Sequence, residues 1–283
     1  MVMGAAGWRC APVGAILRNH CLAPGSKMPH SGSTVPDGPI PRLHSPSDTA
    51  GSVVSLHKCN DRERRDMLAD IAHELRTPLS VIRGRLEGIV DGIYPENGPQ
   101  VSMALEQTYV MQRLVDDLRL LTLVETRQLH FDKQNVNIGE VIERVIDMFS
   151  AEAQEKNIAL SFDKQSGNLL AVLDPQRFEQ VISNLVGNAI RYIPEGGKVW
   201  VTADETNRDV QITVNDNGKG IPAEDLPYIF DRFWRKDKSR SRATGGTGLG
   251  LAIAKQLVEA QGGTIEARNL PEGGLQIVVE LKT

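Results

Sequence analysis

The apolar positions Leu68, Ile71, Leu75, Ile82 and Ile89 recur at steps of three, four or seven residues, which puts them on one stripe of a long helix. Pro78 falls on the same stripe and predicts a kink. Breakers gather from Asp91-Gly92 to Gly98-Pro99, after which Leu105, Met111, Leu114, Leu118, Leu121 and Val124 return to helical spacing. The pattern predicts a helical hairpin over residues 57–130. Two helices bury little surface and these stripes are broad, so two copies pairing into a four-helix bundle is the economical arrangement. A homodimer is therefore expected, with a single-chain bundle as the alternative.

Beyond about Asn135 the period changes. Two-residue alternation at Val199-Trp200-Val201, at Val210, Ile212 and Val214, and at Leu275, Ile277, Val279 and Leu281 predicts strands. Helical spacing predicts helices at about 138–156, 175–192, 222–232 and 249–261, the last stopped by Gly262-Gly263. Helices interleaved with antiparallel-looking strands predict an α/β sandwich over 135–283, which makes the fold class α+β. Residues 1–56 are rich in Pro, Gly and Ser and lack either period, as expected of a disordered leader or a truncated linker.

Composition bounds the function more than the fold. A chain of 283 residues has room for two modest domains, and a net charge of -4 gives no electrostatic reason to expect nucleic acid. The three cysteines, Cys10, Cys21 and Cys59, suit neither a disulfide framework nor a zinc site, so a reducing, cytoplasmic compartment is expected. The apolar run Ala11–Leu17 is interrupted by Pro12 and closed by Arg18, far short of the roughly 20 residues a membrane span requires. No membrane span is expected; a short signal peptide is the alternative reading of the leader.

Four clusters carry chemistry. With Leu68 and Leu75 at heptad position a, His73 takes position f, farthest from the seam, and Asp70, Arg76 and Thr77 share its side of the helix. A solvent-facing imidazole in a polar cluster is expected. In the helix at 175–192, Asn184, Asn188 and Arg191 line one edge; asparagine is a poor helix former, and its carbonyl is a hard oxygen ligand suited to Mg²⁺. In Asp216-Asn217-Gly218-Lys219-Gly220, strand alternation points Asp216 where Val210, Ile212 and Val214 point. A carboxylate there needs a donor such as a purine amine, and the glycines allow close backbone approach. Gly245-Gly246-Thr247-Gly248-Leu249-Gly250 leads straight into a helix, forming a nest of N–H groups suited to phosphate. The preceding Arg235, Lys236, Lys238, Arg240 and Arg242 read as a mobile basic lid, or else as a solvated charge run.

Taken in order, these clusters resemble the catalytic core of the two-component sensor histidine kinases, over about residues 60–283. His73-Glu-Leu-Arg-Thr-Pro-Leu79 is similar to that family's H box, Asn184-Leu-Val-Gly-Asn188-Ala to its N box and Asp216-Asn-Gly-Lys-Gly220 to its first glycine box. Phe230-Asp-Arg-Phe233 resembles the F box, and Gly246-Thr-Gly-Leu-Gly250-Leu the second glycine box. The resemblance implies a dimerising phosphotransfer hairpin followed by a Bergerat-type ATPase domain. It implies His73 as phosphoacceptor, Glu74 as general base for its ring proton, and Thr77 in a phosphatase role towards the partner. It implies Asn188 as the Mg²⁺ ligand and Asp216 as the residue that binds the adenine amine of ATP. Asn184, Arg191, Tyr192, Gly218, Gly220, Ile221, Phe230, Phe233, Gly246, Thr247, Gly248, Leu249 and Gly250 would complete the nucleotide site. The implied partner is the receiver domain of a response regulator.

The front end departs from the family, whose typical members have transmembrane helices and an external sensor before this core. Membrane association is expected if such a sensor precedes this chain. Two rivals compete with the kinase reading. A topoisomerase, chaperone or mismatch-repair ATPase would share the nucleotide motifs but not His73 on a hairpin. A nucleotide-binding scaffold that sequesters a regulator would need a broken catalytic residue, and none is apparent.

Overall fold

A computed structural model describes residues 46–96, 98–164, 169–206, 209–235 and 246–282, with the backbone alone for 46–64 and 164. Residues 1–45, most of the stretch expected to be a leader or truncated linker, together with Gly245 and the basic residues Lys236, Lys238, Arg240 and Arg242, lie outside the described residues. The chain divides into two compact units, Met1–Ile71 and Ala72–Thr283. The described part of the first is the beginning of helix α1; the elements after α1 all belong to the second.

Helix α1 runs Pro46–Val90 and helix α2 Pro99–Glu125. α1 starts within the stretch expected to lack structure, and Pro46 fits its first position because the missing N–H has no helical partner there anyway. Pro78 lies inside α1, which continues past it, and the Thr77 hydroxyl donates back to the His73 carbonyl at 3.3 Å. The two helices meet at their linked ends, where Arg85 donates to Gln100. Leu79, Leu86, Val101 and Leu105 stay exposed, whereas Leu114, Leu120, Leu121 and Val124 are buried. Those four share one core with Ile253 and Leu257, so the second half of α2 packs against the α/β sandwich. Leu75, expected on the seam of a bundle, packs partly buried against that same core.

The sandwich is a layer of helices over a five-stranded sheet. α3 (Ile138–Glu155), α4 (Pro175–Tyr192) and α5 (Gly250–Ala260) supply the helices. The strands are β2 (Ala159–Lys164), β4 (Lys198–Thr206), β5 (Asp209–Asp216), β6 (Thr264–Asn269) and β7 (Leu275–Lys282), in the order β2-β4-β5-β7-β6. Only β2–β4 is parallel; the other pairs are antiparallel. A separate ribbon joins β1 (Gln134–Asn137) to β3 (Leu170–Leu173). Val199, Val201 and Ala203 of β4, Val210, Ile212 and Val214 of β5, and Ile277, Val279 and Leu281 of β7 form the floor of the core. Phe178, Val181, Ile182, Leu185 and Ile190 of α4 cover it.

The helix ends are written locally. Asp174 caps α4 through Oδ1, accepting from Gln176 N at 3.0 Å and Arg177 N at 3.1 Å, with Pro175 at the first position. α5 stops where Gly262 turns left-handed, and Gly263 N returns to the Val258 carbonyl.

One expected helix is corrected. Residues 222–232 hold only a short 3₁₀ turn, Leu226–Tyr228, among other turns. Pro227 would sit inside such a helix, where it removes a hydrogen bond and crowds the preceding turn.

Candidate nucleotide site

A cavity of about 780 Å³ opens between the helix layer and the loops that follow β5 and precede α5. Its size suits one small-molecule ligand. α4 contributes Asn184, Asn188, Arg191 and Tyr192, whose edge is free because Ile182, Leu185, Val186 and Ile190 bury the other side of the helix.

The loop after β5 contributes Asp216, Gly218, Gly220 and Ile221. Asp216 is half-buried at the end of its strand. Its Oδ1 accepts Gly218 N at 2.8 Å and Leu275 N at 3.3 Å. Burial pushes this carboxyl above its ordinary range, opposed by those two N–H groups. The bonded oxygen is fixed from the protein side, which orients the carboxylate towards the cavity. Gly274 is essential to that placement: at φ 104 it runs so close to Asp216 that a Cβ would stand 1.9 Å from the Asp216 carbonyl oxygen.

Thr247, Gly248, Gly250 and Leu251 line the other end. Gly248 is left-handed at φ 72, accepts Phe233 N at 2.9 Å, and has no room for a side chain because a Cβ would stand 2.9 Å from Phe233 Cα. Phe233 is itself left-handed at φ 58. Gly246 lies against Arg191, whose Nη1 would be 3.0 Å from an added Cβ.

The remaining expected residues sit behind or beside the wall. Leu249 is fully buried and holds the start of α5 in the core. Phe230 and Phe233 pack against the core, with Lys255 Nζ 5.7 Å from the Phe230 ring centre. His73 is exposed on α1 as expected, and neither it nor Glu74 nor Thr77 lines the cavity.

Several residues that sequence patterns missed do line it: Arg113 and Asp117 from α2, Phe149 and Glu152 from α3, and Trp234 beside Arg235. Arg235 pairs with Glu74 at 3.1 Å and donates to the Gly246 carbonyl. Arg232 pairs with Glu125, the last residue of α2. Thr247 donates to Asp117 Oδ2 at 3.4 Å. Burial pushes the Asp117 carboxyl up to about 6; the Thr247 hydroxyl and Arg113 pull it down, and Asp116 adds to the rise. Asn184 Nδ2 and Arg235 Nε are buried with no hydrogen-bond partner among the described residues. Unmatched buried donors at a polar cavity fit a ligand rich in oxygen acceptors.

This combination of helical hairpin, sandwich and glycine-framed cavity defines an ATPase-type domain carried beside a phosphoacceptor-type hairpin. The comparisons agree with that class. Residues 63–127 match the His Kinase A (phospho-acceptor) domain and residues 173–283 the Histidine kinase-, DNA gyrase B-, and HSP90-like ATPase family. The chain is 37% identical over 226 residues to the sensor histidine kinase WalK of Bacillus subtilis, a match covering 78% of this chain and 37% of WalK. Among solved structures, the histidine kinase AdeS of Acinetobacter baumannii is similar at 30% identity and TM-score 0.64, covering 74% of this chain and 97% of that one. The histidine kinase ThkA, solved in complex with the response regulator protein TrrA, is similar at 26% identity and TM-score 0.62, covering 78% and 64%. The chain belongs to the two-component sensor histidine kinases, and its fold is that family's hairpin with a Bergerat-type ATPase domain. It spans well under half the length of WalK. No helix among the described residues is long and apolar enough to cross a membrane.

Proposed function

We propose that this chain is an ATP-dependent protein histidine kinase that phosphorylates His73 and passes the phosphoryl group to an aspartate of a response regulator. The observation that carries this reading is the single cavity onto which Asn184, Asn188, Asp216 and the loop at Thr247–Gly250 converge, in a chain whose hairpin exposes His73. Asp216, held through one oxygen, accepts the adenine amine. The N–H groups before α5, together with Arg191, receive the phosphates. Asn188, an uncharged oxygen ligand on the cavity wall, suits Mg²⁺, which neutralises phosphate charge when bound. In the reaction an imidazole nitrogen of His73 bonds to the γ-phosphorus, the bond to the ADP oxygen breaks, and the ring proton passes to Glu74. Glu74 must first leave Arg235, with which it is paired.

A second activity, dephosphorylation of the partner, is favoured by one observation. The Thr77 hydroxyl lies one turn after His73 and is bonded only weakly, at 3.3 Å, to the His73 carbonyl. In this reading it orients a water at the same surface. Equal rates of phosphate loss from a phosphorylated receiver domain with wild type and Thr77→Ala would argue against that role.

Two copies of the chain form the working dimer through the exposed Leu79, Leu86, Val101 and Leu105 of the hairpin. The response regulator partner is supported by ThkA, a relative solved with one. The test of the main reading is incubation with γ-labelled ATP and Mg²⁺. Acid-labile, alkali-stable label on the protein supports the kinase; ATP bound or hydrolysed without such label supports a scaffold or another ATPase.

A further inference from the structure

α2 brings to the cavity a carboxylate that none of the five sequence boxes contains. Asp117, half-buried, lines the cavity together with Arg113 of its own helix. Its Oδ2 accepts the Thr247 hydroxyl at 3.4 Å, and Thr247 Oγ1 in turn accepts Leu249 N at 3.3 Å. These two long bonds place Asp117 beside the glycine loop where it enters α5. Arg191 lies against Gly246, and N–H groups at a helix start favour anions, so on the kinase reading the glycine-loop end takes the phosphates. A carboxylate fixed at an anion-binding end works against the ligand, and the more so the more negative charge the ligand places there.

We propose that Asp117 is a specificity-determining residue of the nucleotide site, lowering affinity for ATP more than for ADP while α2 stands against the glycine loop. This deepens the kinase reading and rests on it. ATP adds a terminal phosphate, which the order of the cavity puts at the Thr247 end, and ADP lacks it. At separations of a few ångströms in a half-buried setting, one extra charge of like sign costs on the order of tenfold in affinity. Asp116, the neighbouring carboxylate, does not line the cavity and has no such effect.

The experiment is calorimetric titration of the full chain with ADP and with a non-hydrolysable ATP analogue, both with Mg²⁺, for wild type, Asp117→Asn, Asp117→Ala and Asp116→Asn. The expected result is that both Asp117 variants bind the ATP analogue about tenfold tighter and ADP less than about threefold tighter. Asp116→Asn should match wild type for both. An unchanged ratio of the two affinities overturns the proposal. So does weaker binding of the ATP analogue in the Asp117 variants, the result expected if Asp117 were a magnesium ligand. A folded wild type that binds neither nucleotide overturns the kinase reading itself, which distinguishes that failure from failure of the Asp117 role.

Discussion

Glu74, next to His73 on α1, is ion-paired at 3.1 Å with Arg235, which stands on the cavity wall and is only 9% exposed. The residue assigned to take the histidine proton is thus held by an arginine of the cavity wall. On the proposed mechanism that pair opens before His73 reacts. Glu74→Gln keeps the shape and can still accept a hydrogen bond from Arg235, but it cannot take up a proton. It should lower the rate of labelling at His73 by about 100-fold or more and leave nucleotide affinity unchanged. Labelling at the wild-type rate would remove Glu74 from the mechanism.

Asp117 also gives the fold a pH signature. Its carboxyl sits at about 6 in the folded chain against an ordinary value of 3.8. The folded state therefore holds this proton more tightly than the unfolded state does. Below pH 3.8 the group is neutral in both states and costs nothing; stability is lost as pH rises from there through about 6, and the loss is constant above. The groups acting on it are Thr247 across the cavity and Arg113 and Asp116 on α2. The cavity also holds Glu152, Arg191, Asp216, Lys219 and Arg235. Asp117→Asn removes the loss, so in urea unfolding it should exceed wild type by roughly 1–2 kcal/mol at pH 7.5, after allowance for solvent screening. At pH 4.5 the gap should be smaller. An equal gap at both values would contradict the assignment.

Asp174 stabilises two elements at once. It is only 7% exposed, and besides the two N–H groups of α4 it accepts Asp132 N at 3.0 Å, tying the segment before β1 to the start of the helix. Asp174→Ala orphans all three donors and should cost about 2–4 kcal/mol in urea unfolding. A change under about 0.5 kcal/mol, the range of ordinary surface substitutions, would show that water replaces the carboxylate without penalty.

Gly274 lies outside every recognised box, yet its backbone leaves no room for a side chain over Asp216. Gly274→Ala should push Asp216 out of register and weaken ADP binding by about tenfold or more, with helix content retained. Native affinity in the variant, measured by the same titration, would mean that the loop relaxes freely.

Much of this was legible in the sequence, and the failures have physical causes. α4 is marked by a cap, a proline at its first position and a two-sided pattern, so its bounds follow directly. The glycine boxes mark loops whose backbone must approach a ligand. β2, with Ser161 and Asp163 exposed, and β6, with one buried residue in six, are too polar to give a strand signal. Residues 222–232 form turns where a helix was expected, because Pro227 cannot sit in a helix interior. Asp117 was invisible for a different reason: a polar residue between Leu114 and Leu121 looks the same in sequence whether it faces water or a cavity. Only the packing of α2 against α5 turns it inward.

The most direct test of the account is autophosphorylation of residues 56–283 with γ-labelled ATP and Mg²⁺, comparing wild type with His73→Gln. The account predicts acid-labile label on the wild type and none on the variant, with both binding ATP equally. Label that persists in His73→Gln, or a folded wild type that binds ATP and takes up no label, would contradict it.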